Sequence, residues 1–258
     1  MTGAHRPRKR FGQHFLVDAA TIDHIIGAIA PAADEHIVEI GPGQGALTGA
    51  LARRAGRLTL VELDRDLVAR LEREYADADQ VQIIGQDALE VDYASLGAPL
   101  RLVGNLPYNI STPLLFHLAR FVDAIEDMHF MLQKEVVDRI TATPGGKAWG
   151  RLGLMLALAF DSEFLFEVGP ESFDPPPRVD SAVLRLSPRE APPDITDARL
   201  LEDVVRRAFS KRRKTLRNAL REVADTAHFE AAEIDPTQRA ETVSADRFAA
   251  LANAIAAR

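Results

Sequence analysis

Short apolar runs and stretches of helical spacing alternate along the first half of the chain. Isoleucines recur at intervals of three and four over residues 18–30, which predicts a helix that ends before Pro31. Apolar runs of four to six residues predict strands at 36–40, 58–63, 81–84, 100–103, 128–132 and 181–186. Further helices are predicted at 46–55, 67–75 and 112–121.

This alternation predicts an α/β fold in which a mostly parallel sheet carries helices on both faces. Proline-rich stretches at 170–177 and 188–197 interrupt the pattern. Residues 198–258 are predicted to be helical throughout, with Ser210 and Ser244 as helix N-caps. The division that follows is an α/β domain over residues 1–190 and a small all-helical domain over residues 191–258.

Composition narrows the class of protein. The chain has 258 residues, of which 47% are hydrophobic, so a sizeable core can be buried. Cysteine is absent, which excludes a disulfide framework, a thiol nucleophile and a cysteine-ligated metal. No apolar run approaches 18 residues, and the N-terminus has no apolar signal-peptide core. A cytoplasmic protein without a membrane partner is therefore expected.

Basic residues are concentrated in two short segments, although the net charge is −7. Residues 1–10 carry four basic side chains and no acid, and residues 206–217 carry seven and no acid. Such clusters on an acidic body predict a phosphate-binding surface. The alternative is that both segments are ordinary solvated faces.

A glycine loop and two acidic residues follow three successive predicted strands. Glu39-Ile-Gly-Pro-Gly-Gln-Gly45 has the spacing G-x-G-x-G, which matches neither the usual dinucleotide loop nor a triphosphate loop. Glu62 can accept hydrogen bonds from the hydroxyls of a ribose, and Asp87 can accept from the amine of an adenine. This set is typical of S-adenosylmethionine sites in class I methyltransferases. The alternative is a tight turn and two surface acids.

Asn105-Leu-Pro-Tyr108 follows the fourth predicted strand. Ligands of open α/β sheets bind beyond the carboxyl ends of the strands, so this tetrapeptide should face the same ligand. Asn105 and a backbone carbonyl beside Pro107 can accept the two N–H bonds of an aromatic amine, and Tyr108 offers a face for stacking. Phe173 is a candidate second wall for a flipped base, or alternatively a hydrophobic anchor. An ordinary strand-end turn is the simpler alternative for the tetrapeptide.

The chain closely resembles the small-subunit ribosomal RNA adenine dimethyltransferases, the KsgA family. The resemblance spans the chain from about residue 8 to its end. The matching segments are Arg10-Phe-Gly-Gln-His-Phe-Leu16, Glu39 to Gly45, Val61-Glu-Leu-Asp-Arg-Asp66, Gly85-Gln-Asp87, Gly104 to Pro113, Met131-Leu-Gln-Lys-Glu-Val136, Phe173 to Ser181 and Lys211-Arg-Arg-Lys-Thr-Leu-Arg-Asn218.

The resemblance implies a class I (Rossmann-like) methyltransferase that dimethylates N6 of two adjacent adenosines near the 3′ end of small-subunit (16S) rRNA. It implies S-adenosylmethionine as cofactor, S-adenosylhomocysteine as product, no metal, and a late role in small-subunit biogenesis linked to kasugamycin sensitivity. The implied cofactor residues are His14, Leu16, Gly41, Glu62, Asp87 and Asn105. The implied catalytic residues are Asn105, Leu106, Pro107 and Tyr108, with Phe173 as the candidate wall.

His14 stands where the family often has asparagine, and either side chain can bond a cofactor carboxylate. The candidate RNA-binding residues are Arg8, Lys9, Arg10, Lys211, Arg212, Arg213 and Lys214. The expected partner is small-subunit rRNA within the 30S particle or its precursor, bound by a monomer. Two alternatives stay open, which are a non-catalytic ribosome-assembly factor and a methyltransferase for large-subunit rRNA.

Overall fold

The computed structural model describes residues 14–211 and 213–257. Contacts divide the chain into two compact units, Met1–Val137 with Glu163–Pro188 and Asp138–Ser162 with Arg189–Arg258. The second unit thus takes in residues 138–162, which the sequence prediction assigned to the first domain. These residues group there because Trp149, Leu154 and Leu158 share an apolar core with the C-terminal helices.

The strands of the described chain have between two and nine residues. They are β1 (Phe15–Leu16), β2 (His36–Ile40), β3 (Arg57–Val61), β4 (Val81–Ile84), β5 (Leu100–Asn105), β6 (Ile125–Gln133), β7 (Phe160–Val168), β8 (Phe173–Asp174) and β9 (Ser181–Pro188). Seven of them form one sheet in the order β4-β3-β2-β5-β6-β9-β7, and β1 pairs with β8 separately. The pairings among β2 to β6 are parallel, and β6 pairs antiparallel with β9. The predicted α/β fold with a mostly parallel sheet is confirmed.

The helices lie between the strands and in the C-terminal part of the chain. They are α1 (Ala19–Ile29), α2 (Thr48–Ala52), α3 (Arg65–Glu74), α4 (Ser111–Leu118), α5 (Lys134–Ile140), α6 (Arg151–Ala157), α7 (Ala198–Phe209), α8 (Leu216–Ala219), α9 (Thr226–Ala231) and α10 (Ala245–Ala256). None of the described helices is long and apolar enough to cross a membrane.

The core of the first unit joins the sheet to its first three helices. Ile26 of α1, Leu51 of α2 and Leu71 of α3 pack in one buried cluster with Leu60 of β3 and Val103 of β5. Their burial follows from the apolar periodicity, because each helix presents one apolar stripe to the sheet. Because β2, β3, β4 and β5 are parallel, their carboxyl ends lie at the same edge of the sheet.

Turns separate α7, α8, α9 and α10, so residues 198–258 form several helices with less helical content than the sequence predicted. Ser244 is the N-cap of α10, as predicted. The prediction that Ser210 begins a helix is wrong. Its hydroxyl donates to the carbonyl oxygen of Arg207 (2.7 Å), so it closes the end of α7. Asp197, which sequence analysis did not single out, caps the start of that helix.

Candidate active site

The glycine loop that follows β2 needs backbone conformations that favour glycine. Gly41, Gly43 and Gly45 have φ angles of 69°, 56° and 86°. A Cβ on Gly43 would lie 3.2 Å from the ring of Phe15, so a side chain there would crowd the adjacent wall of the cavity. Arg70 donates to the carbonyl oxygen of Gln44 (3.0 Å), which ties the loop to α3.

Glu62 follows β3 and is buried. Its Oε1 accepts hydrogen bonds from the backbone N–H groups of Leu63 and Asp64 (both 2.9 Å), and its Oε2 accepts from Gly43 (3.2 Å). Burial raises the pKa of Glu62, while these three donors oppose the rise. Oε2 has only one of these donors, so it is the oxygen with capacity for a ligand hydroxyl.

Asp87 follows β4 and is half-buried. Its Oδ1 accepts from the N–H of Leu89 (2.9 Å), which fixes the carboxylate in a tight turn. Its carbonyl oxygen accepts from Glu90 (2.9 Å) in the same turn. The second carboxylate oxygen, Oδ2, can then accept from a ligand amine.

Asn105 ends β5, and its side-chain amide is oriented by a distant segment of backbone. Its Nδ2 donates to the carbonyl oxygen of His14 (3.1 Å). Since this bond occupies the donor end of the amide, Oδ1 remains available as an acceptor. In the turn that follows, the carbonyl oxygen of Pro107 accepts from the N–H of Ile110 (3.1 Å).

Tyr108 is held at both its ring and its hydroxyl. Its hydroxyl lies 2.9 Å from the Ser181 hydroxyl, and burial raises the pKa of the phenol. Its ring stacks beside the His14 imidazole, with the centroids 5.8 Å apart and the planes tilted by 27°. The ring is only partly buried, so one aromatic surface is accessible from the cavity.

His14, Phe15 and Leu16 reach the site through the pairing of β1 with β8, which sequence analysis missed. Phe15 pairs with Asp174 and Leu16 with Phe173. The His14 Nδ1–H donates to the carbonyl oxygen of Pro175 (2.7 Å). Because Nδ1 is engaged in this way, the His14 ring can donate to a cofactor carboxylate only when Nε2 also carries a proton.

Phe173 lies away from the cavity surface. It is 4% exposed and belongs to the apolar cluster that contains Leu16, Ile25 and Val183. This placement favours the anchor alternative, because the ring stabilises the strand pairing that delivers β1 to the cavity. A role for Phe173 as a second wall of the base site stays a prediction.

Glu39 is a cavity residue to which sequence analysis gave no role. The residue is 2% exposed, and its carboxylate accepts a hydrogen bond from the Thr48 hydroxyl (2.7 Å). Burial raises its pKa from 4.5 to about 7, and the nearby charge of Glu62 adds to the rise. An acid within the apolar run 36–40 was the available signal.

The basic segments are described only in part. Arg8, Lys9, Arg10 and Arg212 lie outside the described residues. Lys211, Arg213 and Lys214 are exposed in the turn after α7. Arg206 and Arg207 of the same basic stretch instead form ion pairs with Asp203, so part of its charge is neutralised within the helix.

Nine of the predicted site residues line one cavity of about 330 Å³. This volume is at the lower end of the roughly 300–1,000 Å³ range typical of small-molecule sites. The predicted residues that line it are His14, Leu16, Gly41, Glu62, Asp87, Asn105, Leu106, Pro107 and Tyr108. Among the described residues, no group of three or more histidines and acids is arranged to hold a metal ion.

An open, mostly parallel sheet with a glycine loop, two acids and Asn-Leu-Pro-Tyr beyond its strand ends defines a class I methyltransferase. The chain belongs to the ribosomal RNA adenine dimethylase family, whose model matches residues 4–257.

Full-length relatives support this membership. The chain is 52% identical over 256 residues to ribosomal RNA small subunit methyltransferase A of Pseudomonas aeruginosa, covering 98% of this chain and 96% of that one. It is 54% identical over 249 residues to the protein of the same name from Xanthomonas oryzae pv. oryzae, covering 95% of each.

Solved structures resemble the whole fold. The crystal structure of 23S rRNA methyltransferase ErmE is similar with a TM-score of 0.71 at 25% identity, covering 94% of this chain and 99% of that one. A dimethyladenosine transferase from Plasmodium falciparum has a TM-score of 0.79 at 23% identity, covering 92% and 96%.

Proposed function

We propose that this chain transfers methyl groups from S-adenosylmethionine to N6 of two adjacent adenosines near the 3′ end of small-subunit rRNA. The observation that carries the proposal is that Glu62, Asp87 and Asn105-Leu-Pro-Tyr108 line the same cavity. Identity above 50% over nearly the whole chain to two small subunit methyltransferases supports the choice of RNA. The proposal includes action in the cytoplasm on the 30S particle or its precursor, as a monomer.

The residues of the cavity fit the cofactor. Glu62 Oε2 would accept a hydrogen bond from a ribose hydroxyl, and Asp87 Oδ2 would accept one from the adenine amine. Gly41 and Gly43 have positive φ angles and no Cβ, so the loop backbone can approach the ligand closely. When bound, S-adenosylmethionine supplies an electrophilic methyl group on a sulfonium centre.

Asn105 and Leu106 orient the target amine. The nitrogen of an aromatic amine is a poor nucleophile, because its lone pair is delocalised into the ring. Asn105 Oδ1 accepts one N–H, and the carbonyl oxygen of Leu106, which directly precedes Pro107, accepts the other. Both acceptors stabilise the positive charge that develops on nitrogen, and the proton leaves to solvent after transfer. Tyr108 stacks on the base and completes the positioning.

Exposed basic residues in the second unit supply the RNA affinity. Lys211, Arg213 and Lys214 contact phosphates, together with Arg212 and the N-terminal residues Arg8, Lys9 and Arg10. Such contacts carry no sequence information. Specificity therefore comes from RNA shape and from the flipped base.

The test is methyl transfer from labelled S-adenosylmethionine to undermethylated 30S and 50S subunits, for the wild-type protein and for Asn105→Ala. We expect two adjacent adenosines of the 30S RNA to be labelled by the wild-type protein, with a loss of about 10²-fold or more in the variant. Cofactor affinity, measured by calorimetry, separates a loss of binding from a loss of chemistry.

Three contrary results would each overturn a different part of the proposal. Labelling of 50S RNA alone would identify a large-subunit methyltransferase. Tight binding to 30S subunits without labelling would identify an assembly factor that retains the fold. Equal labelling by the wild-type protein and Asn105→Ala would remove the proposed amine site.

A further inference from the structure

Ser181 is a buried hydroxyl residue next to the candidate base site that the proposed mechanism does not use. It is 1% exposed and begins β9, where it pairs with Gln133 of β6. The backbone pairing continues one step further, because the N–H of Lys134 donates to the carbonyl oxygen of Asp180 (2.9 Å). The position of the Ser181 backbone is therefore fixed by the sheet.

The Ser181 hydroxyl lies 2.9 Å from the phenolic oxygen of Tyr108, 73 residues away in the chain. The phenolic oxygen lies on the long axis of the ring, so a hydrogen bond there fixes where the tip of the ring lies. The neighbouring His14 imidazole, with its centroid 5.8 Å away and its plane tilted by 27°, limits rotation about that axis. Together these contacts define both the place and the tilt of the aromatic face.

We propose that Ser181 is a positioning residue for methyl transfer, whose hydroxyl holds the Tyr108 ring where the target adenine stacks. The inference rests on the proposed role of Tyr108. Ser181 is not among the residues that line the cavity, so it acts through Tyr108 and not on the cofactor. The Tyr108 hydroxyl lies in a partly buried contact, so losing its partner would be costly and the ring would move to restore a hydrogen bond.

The test compares Ser181→Ala, Tyr108→Phe, the double variant and Tyr108→Ala in single-turnover methyl transfer at saturating RNA and cofactor. We expect Ser181→Ala and Tyr108→Phe each to slow transfer about fivefold to tenfold, the effect of one hydrogen bond. The double variant should be no slower than either single variant, since both remove the same bond. The dissociation constant for S-adenosylmethionine should not change.

Ser172→Ala is the matched control. Ser172 is also buried, and its hydroxyl lies 3.2 Å from that of Thr21, away from Tyr108. We expect it to leave the rate unchanged, so a general effect of removing a buried serine hydroxyl is separated from positioning.

Three results distinguish the inference from the function on which it rests. A wild-type rate for Ser181→Ala, with a large loss for Tyr108→Ala, would overturn the positioning role and keep the stacking role. Additive losses for Ser181→Ala and Tyr108→Phe would also overturn it, because the two changes would then act independently. A wild-type rate for Tyr108→Ala would overturn both.

Discussion

The side-chain amide of Asn105 donates a hydrogen bond to the backbone carbonyl oxygen of His14 (3.1 Å), which lies 91 residues earlier in the chain. The bond connects His14, which lines the cavity, to the residue proposed to hold the target amine. Because a backbone carbonyl only accepts, the bond selects one orientation of the amide and leaves Oδ1 available as an acceptor.

Asn105→Asp tests whether this orientation matters. The aspartate keeps an oxygen that can accept from the amine, but it places a second oxygen against the His14 carbonyl. An unsatisfied pair of acceptors costs about 1–3 kcal/mol, so we expect transfer to slow by roughly 10- to 100-fold. Single-turnover rates, beside cofactor affinity from calorimetry, measure the effect. A wild-type rate for Asn105→Asp would show that only an acceptor oxygen is needed.

Glu39 makes the stability of the free protein depend on pH. Its pKa is raised from 4.5 to about 7 by burial, so the folded state binds more protons than the unfolded state between these values. The stability from this group is full below pH 4.5 and is lost as the pH rises to about 7. The loss amounts to about 3 kcal/mol.

Glu39→Gln cannot ionise and should lack this dependence. As the pH rises from 4 to 8, we expect the unfolding free energy of the variant to increase by about 3 kcal/mol relative to that of the wild-type protein. Urea unfolding across this range measures this increase, and taking the difference cancels the titrating groups that do not interact with Glu39. Parallel curves for the two proteins would contradict the assignment to Glu39.

Two substitutions at Phe173 distinguish its role as a hydrophobic anchor from its role as a wall of the base site. Phe173→Leu keeps most of the apolar volume but removes the aromatic face, so an anchor should retain both cofactor affinity and rate. Phe173→Ala should destabilise the fold by about 3–5 kcal/mol and weaken cofactor binding, because Leu16 loses its packing partner in β8. Thermal unfolding and calorimetry check these outcomes. Slow methyl transfer by Phe173→Leu, with unchanged cofactor affinity, would support the role of Phe173 as a wall of the base site.

The part of the site that follows the parallel strands could be predicted because its signals are local. A short apolar run, then a glycine loop or a single polar residue, indicates a strand end, and parallel strands end together. Glu62, Asp87 and Asn105 were found in this way, and all three line the cavity.

The rest depends on contacts that leave no local pattern. β1 and β8 have two residues each and are joined only by pairing across the chain, so no periodicity reveals them. β7 carries Asp161 and Glu163 at exposed positions, and these acids interrupt the apolar pattern by which a strand is predicted. Ser210 has the residue type of an N-cap, but its hydroxyl turns back to the preceding helix. The assignment of residues 138–162 to the second unit required the packing itself.

Gly104 is required where β5 passes β2. A Cβ there would lie 2.4 Å from the backbone oxygen of Ile40, and the backbone of a central strand cannot move away cheaply. We expect Gly104→Ala to destabilise the fold by several kcal/mol and to weaken cofactor binding. Gly27→Ala is the control, because no atom lies within 4 Å of its added Cβ in α1. It should stabilise the protein by about 0.5–1 kcal/mol. Similar urea midpoints for both variants would contradict the argument.

The exposed basic turn after α7 should determine how RNA affinity depends on salt. Replacing Lys211, Arg213 and Lys214 together by alanine should weaken RNA binding and reduce the magnitude of the slope of log affinity against log salt by roughly one for each lost phosphate contact. Affinity for S-adenosylmethionine should not change. Arg206→Ala is the control, because Arg206 is paired with Asp203 on its own helix and should leave the slope nearly unchanged. Equal slopes for the wild-type protein and the triple variant, from titrations over a range of salt concentrations, would exclude this turn from the RNA interface.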